Sequence, residues 1–171
     1  MRELHESNEF EPQHIKGVTV RAEQTSEAMC NIAAPTTGLE AKFSLKFMTA
    51  AALLRADTSS LELYQDAKVR DAVLCGLRDK VTVEFVKGWP KMQSEVIVEL
   101  ADGRKLCATH DAGVPPADLA QQGQRLRTKF QRLACPIVGS ERTGEILHLV
   151  DALEHTSVAD LMEACAVARQ A

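Results

Sequence analysis

The chain is predicted to adopt an α+β fold: a small antiparallel sheet packed with helices in a two-layer, lid-type domain, followed by a C-terminal helical segment. Three observations predict it. Strand patterns recur between Ile15 and Thr109, with a hairpin signal among them. The stretch Pro35 to Leu54, PTTGLEAKFSLKFMTAAALL, reads as a turn running into a helix that is apolar over most of its circumference. From Ala117 onward the apolar period is helical. Strands clustered before helices favour an α+β layer over a parallel doubly wound sheet.

The elements follow in order. Residues 2 to 8 read as the end of a polar helix, broken at Glu11-Pro12. Ile15 to Arg21 is a strand, with Val18 and Val20 on one face and Thr19 and Arg21 on the other. Thr36, Thr37 and Gly38 supply turn and capping chemistry, and no proline or glycine interrupts Leu39 to Leu54, so one continuous helix is expected. Lys42, Lys46 and Thr49 then share a polar stripe, while Phe43, Leu45, Phe47, Met48, Leu53 and Leu54 face the core. Ser60 stands in the loop before a short helix carrying Leu61, Leu63 and Tyr64, and Asp66 is placed to cap another carrying Val69, Leu74 and Leu77. Val81, Val83 and Phe85 alternate with polar residues, and Glu95–Leu100 and Lys105–Thr109 flank Asp102-Gly103, a hairpin turn. Beyond Pro116, Leu119, Leu126, Phe130 and Leu133 form one helical stripe opposite Arg125, Arg127, Lys129 and Arg132, and Cys135-Pro136 punctuates it. A second helix carries Ile146 to Leu153, and Ser157 with Asp160 opens a third. The expected division is residues 1–112 for the mixed domain and 113–171 for a helical return segment.

Composition bounds the function classes. The 171 residues are 45% hydrophobic and 26% charged, as in a soluble globular chain, which argues against disorder or a coiled coil. With 4% aromatics the core must be aliphatic. A net charge of -4 argues against a nucleic-acid or anionic-membrane partner. Cys30, Cys75, Cys107, Cys135 and Cys165 are odd in number and scattered, with no CxxC, and no secretory signal or spanning segment is present. Free thiols in a reducing cytoplasm follow.

No self-contained catalytic motif occurs, and no cofactor or metal is expected. His110, at a strand end before Asp111, is a candidate site residue or simply a polar tip. Lys42, near a helix start in an apolar stretch, reads either as a carboxylate-binding cation beside free first-turn N–H groups or as a solvated lysine on the polar stripe. Ser44 lies off that stripe, at a position where its hydroxyl can bond a carbonyl one turn back. Trp89, the single tryptophan, sits in a Lys-Gly-Trp-Pro-Lys loop suited to a pocket rim or an interface.

Several stretches resemble the C-terminal domain of the MmgE/PrpD family: CNIAAPTTGLEAKFSLKFMTAAALL (30 to 54), VRD…LRDKVTVE (69 to 84), VELADGRKL (98 to 106), and RLRTKFQRLA (125 to 134) with LVDALE…VADLM (149 to 162). The order and spacing agree over almost the whole chain, and E-A-K-F-S is the most specific part. The family includes 2-methylcitrate dehydratase, cis-aconitate decarboxylase and iminodisuccinate epimerase. The resemblance thus implies a lyase or isomerase acting on small di- or tricarboxylates, moving a proton beside a carboxylate without a metal. It also implies a helical N-terminal domain against which the last helices pack, and a homodimer. By the same resemblance the Asn31 to Ser44 region borders the substrate cleft, with Asn31, Thr37, Lys42 and Ser44 as carboxylate-binding candidates. No catalytic residue is assigned, because in relatives most acid/base groups lie in the helical domain.

Two departures are visible. Met29 stands where decarboxylase-type relatives place a site tyrosine. The Lys-x-x-Pro…His segment that precedes the first strand in relatives has no counterpart in RELHESNEFEP, so His5 does not match the family's site histidine. The expectation is that this chain is the later part of a larger arrangement and is inert alone. The alternative reading is a truncated or separately encoded lid that serves as a structural or interaction module.

Overall fold

The computed structural model describes Leu4 and residues 10–166. Contacts divide the chain into two compact units, Met1–Pro115 and Pro116–Ala171. Apart from Leu4, the polar helix expected over residues 2–8, including His5, lies outside the described residues.

The first unit is a sheet with one helix-covered face, an α+β architecture. Its strands are β1 (Ile15–Glu23), β2 (Val81–Val86), β3 (Gln93–Leu100) and β4 (Lys105–Asp111), in the order β2-β1-β3-β4. The β3–β4 hairpin closes at Asp102-Gly103, where Gly103 takes φ 88°, a left-handed conformation that glycine adopts without a Cβ clash. The sheet is mixed rather than antiparallel, because β1 and β2 run parallel, Val18 opposite Val81 through Glu23 opposite Val86. Alternation within a strand defines its faces but not its neighbour's direction. Here the long helical connection between β1 and β2 returns the chain to the same end, which a parallel pair requires.

That connection holds α1 (Glu27–Cys30), α2 (Gly38–Lys42), α3 (Leu45–Leu53), α4 (Asp66–Val69) and α5 (Ala72–Arg78). Val18, Val20, Val81, Val98 and Leu106 of the sheet share one buried cluster with Phe47, Ala50, Ala51 and Leu53 of α3 and with Leu74 and Leu77 of α5. The opposite face is a ladder of charge. Arg21 on β1 reaches Glu84 on β2 at 2.8 Å and Glu95 on β3 at 3.1 Å, and Lys16 pairs with Glu99 at 2.8 Å. Such a sheet, apolar inside and polar outside, explains the clean alternation of its strands.

The continuous helix expected from Leu39 to Leu54 is two helices. The chain leaves helical geometry at Phe43, and Ser44 restarts it as the N-cap of α3, its hydroxyl accepting the Phe47 N–H at 3.1 Å. The apparent stripe of Lys42, Lys46 and Thr49 is therefore broken: Thr49 is buried and Phe43 is exposed. Serine satisfies N-terminal donors better than it tolerates a helix interior, which is the local reason for the break. Helix α3 ends in a Schellman arrangement, with Ala56 N–H bonded to the Ala51 carbonyl and Arg55 N–H to that of Ala52. Arg55 occupies the left-handed position, at φ 56°. The cap of α5 is Asp71, which accepts the Val73 and Leu74 N–H groups, and not Asp66.

The second unit contains α6 (Leu119–Val138), α7 (Ser140–Asp151) and α8 (Val158–Cys165). Asp118 caps α6 and Ser157 caps α8. Cys135-Pro136 does not end α6; the proline lies within its final turn, and the chain breaks at Gly139 instead. Arg127 on α6 and Asp151 on α7 form an ion pair that ties the two helices together. Among the described residues no helix is long and apolar enough to cross a membrane.

Candidate functional site

The segment from Asn31 to Ser44 is a closed loop. Its ends meet in an isolated antiparallel bridge between Asn31 and Ser44, with the Ile32 N–H donating to the Phe43 carbonyl at 3.2 Å. Everything between them, including α2, projects as a compact surface element of the kind that often carries function.

Capping chemistry holds the loop. Glu40 reaches back to accept the Thr36 N–H at 2.7 Å, the Thr36 hydroxyl at 2.9 Å and the Thr37 N–H at 3.2 Å, while the Thr37 hydroxyl accepts the Glu40 N–H at 3.3 Å. This is a complete capping box. The Thr36 backbone and hydroxyl donors, followed by the Thr37 N–H, hold the Glu40 carboxyl below its ordinary value.

A long-range clamp fixes the loop to the rest of the unit. The Gly38 N–H donates to Asp66 Oδ1 at 2.9 Å. A Cβ at Gly38 would stand 1.6 Å from the Tyr64 carbonyl oxygen, so the backbones approach closer than any side chain permits. That approach lays the Lys42 ammonium over the Tyr64 ring, 5.1 Å from its centroid, within cation–π range. Tyr64 is itself anchored: its hydroxyl donates to the Thr58 carbonyl at 2.9 Å and touches Met48 Sδ at 3.7 Å. Burial, and then the nearby charge of Asp57, push the phenol up, so it stays protonated.

The four carboxylate-binding candidates thus have different surroundings. Thr37 and Ser44 are caps, with their hydroxyls engaged by Glu40 and Phe47 N–H groups, and Ser44 is only 1% exposed. Asn31 and Lys42 are exposed. The first-turn N–H groups expected to be free are not: Thr37 and the Asp66 carboxylate take those of Glu40 and Gly38. Two carboxylates at that helix start make it a poor place for a third anion. Lys42 has no carboxylate partner among the described residues, and it stands among the exposed apolar side chains Ile32, Leu39 and Phe43.

His110 is exposed near the end of β4, opposite Ser94 and outside this loop. Trp89 is half-buried, and its indole N–H has no acceptor among the described residues. Three concavities, of about 560, 430 and 300 Å³, lie beside Ser60, His14 and Phe130 respectively, and none is lined by the four candidates. Among the described residues no group of three His, Cys, Asp or Glu side chains gathers as metal ligands. Tyr64 and Asp66 were invisible as site residues in sequence, because their link to the loop is a through-space contact with no motif spacing.

The fold and this loop define an α+β domain whose edge presents a tethered lysine between a capping box and an apolar rim. The MmgE/PrpD C-terminal domain matches residues 1–155, and the chain belongs to that family. Among curated proteins none matches it.

Proposed function

We propose that this chain is the C-terminal, lid-forming portion of an MmgE/PrpD-type lyase or isomerase acting on small di- or tricarboxylates, in the manner of a 2-methylcitrate dehydratase. In this reading the Asn31–Ser44 loop borders the substrate cleft, and Lys42 meets a substrate carboxylate. The observation that carries it is the family match over residues 1–155, together with an exposed lysine held at the edge of that loop. Proton abstraction beside a carboxylate needs a positioned base and a partner acid within hydrogen-bond reach of the reacting carbon's substituents. The loop offers neither: Glu40 is consumed by its cap and Asp66 by Gly38. The acid–base pair is accordingly assigned to a helical domain packed on this one, and the assembly to a cytoplasmic homodimer.

The test is direct. Purified alone, the 171-residue chain is expected to leave 2-methylcitrate, cis-aconitate and iminodisuccinate unchanged. Turnover of any of them by the chain alone would overturn this assignment of the catalytic groups.

A non-enzymatic module is the second reading. It is favoured by the exposed apolar residues of the helical unit, among them Leu126, Val150, Val158 and Met162. It requires self-association or a helical partner. A strictly monomeric chain in sedimentation, with no hydrophobic-dye binding, excludes it.

A further inference from the structure

We infer that Tyr64 is the positioning residue for Lys42, a ring platform that holds the ammonium over its face so that the charge meets an incoming carboxylate in one place. The inference deepens the reading of Lys42 as a carboxylate-binding group and rests on it.

Three observations carry it. A lysine at the end of a five-residue helix, exposed and without a carboxylate partner, has four side-chain torsions to freeze before it can bind an anion specifically. The Tyr64 ring stands 5.1 Å from its ammonium, where the negative face of the ring attracts the cation without neutralising it. A carboxylate partner would have ordered the lysine equally well, but by supplying the very group the substrate must bring. The ring, in turn, is not free to follow the lysine. Its hydroxyl is held by the Thr58 carbonyl at 2.9 Å, and its backbone carbonyl lies where a Cβ of residue 38 would fall. The loop carrying Lys42 and the turn carrying Tyr64 are therefore registered to each other by the Gly38–Asp66 bond at 2.9 Å. Tyr64 has no part in proton transfer here: its hydroxyl points to a carbonyl and stays protonated. The contribution is preorganisation, which strengthens binding by reducing the ordering cost.

The experiment uses the full chain with its lysines reductively methylated by ¹³C-formaldehyde, which keeps their charge. The Lys42 resonance is assigned by its disappearance in Lys42→Arg. In the wild type this resonance should be displaced upfield by the ring current relative to Lys46. The displacement should persist in Tyr64→Phe and vanish in Tyr64→Leu. Citrate is then titrated as a small tricarboxylate probe. Its affinity should be unchanged in Tyr64→Phe and about two- to fivefold weaker in Tyr64→Leu, the range of an exposed cation–π contact. A Lys42 resonance at the ordinary lysine position in the wild type overturns the inference without recourse to any Tyr64 variant. So does citrate binding that Lys42→Met weakens and Tyr64→Leu does not. A wild type with the displaced resonance but no citrate binding supports the platform and refutes the carboxylate reading of Lys42 instead.

Discussion

The two compact units dispose of their apolar residues in opposite ways. In Met1–Pro115, Phe47 and Leu53 are at most 1% exposed, and eighteen side chains from strands and helices merge into one cluster. In Pro116–Ala171, the buried side chains are Thr143, Ile146 and Ala164, whereas Leu119, Leu126, Ile137, Val158 and Met162 stand in solvent. The helices of the second unit are strongly amphipathic, yet among the described residues their apolar stripes meet little. A sheet buries a whole face under two short helices, because its side chains stand on a common surface. Three helices in a row have stripes that converge only where they touch each other. The first unit is a domain closed by its own sequence. The second is built from surfaces that its own residues only begin to cover, which is what the proposed helical partner would supply.

The largest effect separates the units at single residues. Phe47→Ala should cost about 3–5 kcal/mol in denaturant unfolding, since it opens a cavity in a fully packed layer. Val158→Ala, 78% exposed on α8, should change stability by about 0.5 kcal/mol or less. Comparable losses for the two would end the contrast. Trp89, the only tryptophan, gives a fluorescence signal confined to the first unit.

Next in size is Gly38→Ala. The added methyl meets the Tyr64 carbonyl carbon and oxygen, both backbone atoms that cannot rotate away. A loss of about 1–3 kcal/mol is expected from overpacking. An unchanged midpoint would show that the loop is not clamped to the Tyr64 turn.

Arg55→Gly should run the other way. A non-glycine residue in the left-handed position costs about 1 kcal/mol, and glycine removes that cost. The side-chain interactions of Arg55 offset part of the gain, so a rise in midpoint smaller than that figure is expected. A drop would mean those interactions outweigh the backbone cost.

Acid gives the smallest effect. Glu23, Glu40, Asp71, Glu99 and Asp102 in the first unit all have lowered carboxyl pKa values, through hydrogen bonds from Thr25, Thr36, Leu74, Lys16 and Arg104 respectively. Among the described residues of the helical unit only Asp151 does, through Arg127. A lowered folded pKa means the carboxylate's stabilisation is complete above its ordinary value, 4.5 for Glu and 3.8 for Asp, and is lost as the pH falls through the lower folded one. An acid titration below about pH 4.5 should therefore lower the Trp89-reported midpoint progressively. A flat profile from pH 5 to about pH 3 would show these bonds to be too screened to matter.

What the sequence determined by itself was whatever rests on neighbours along the chain. Period-two alternation marked all four strands, the Asp102-Gly103 pair marked the hairpin, and Thr37, Ser60 and Ser157 marked caps that form over three residues or fewer. The E-A-K-F-S stretch carried the family resemblance. Tertiary structure alone decided the rest. Alternation is indifferent to strand direction, so β1 and β2 became parallel only through the helical connection that separates them. The helix break at Phe43 was hidden because an apolar run with no proline or glycine looks continuous. Ser44 could cap a new helix only once Asn31 had folded back to bridge it. Asp66 looked like a cap for the helix after it and instead holds Gly38, and a lysine that looked solvated lies over Tyr64. Each of these depends on a contact between residues far apart in sequence, and the energy of such a contact is not written into the residues on either side until folding brings them together.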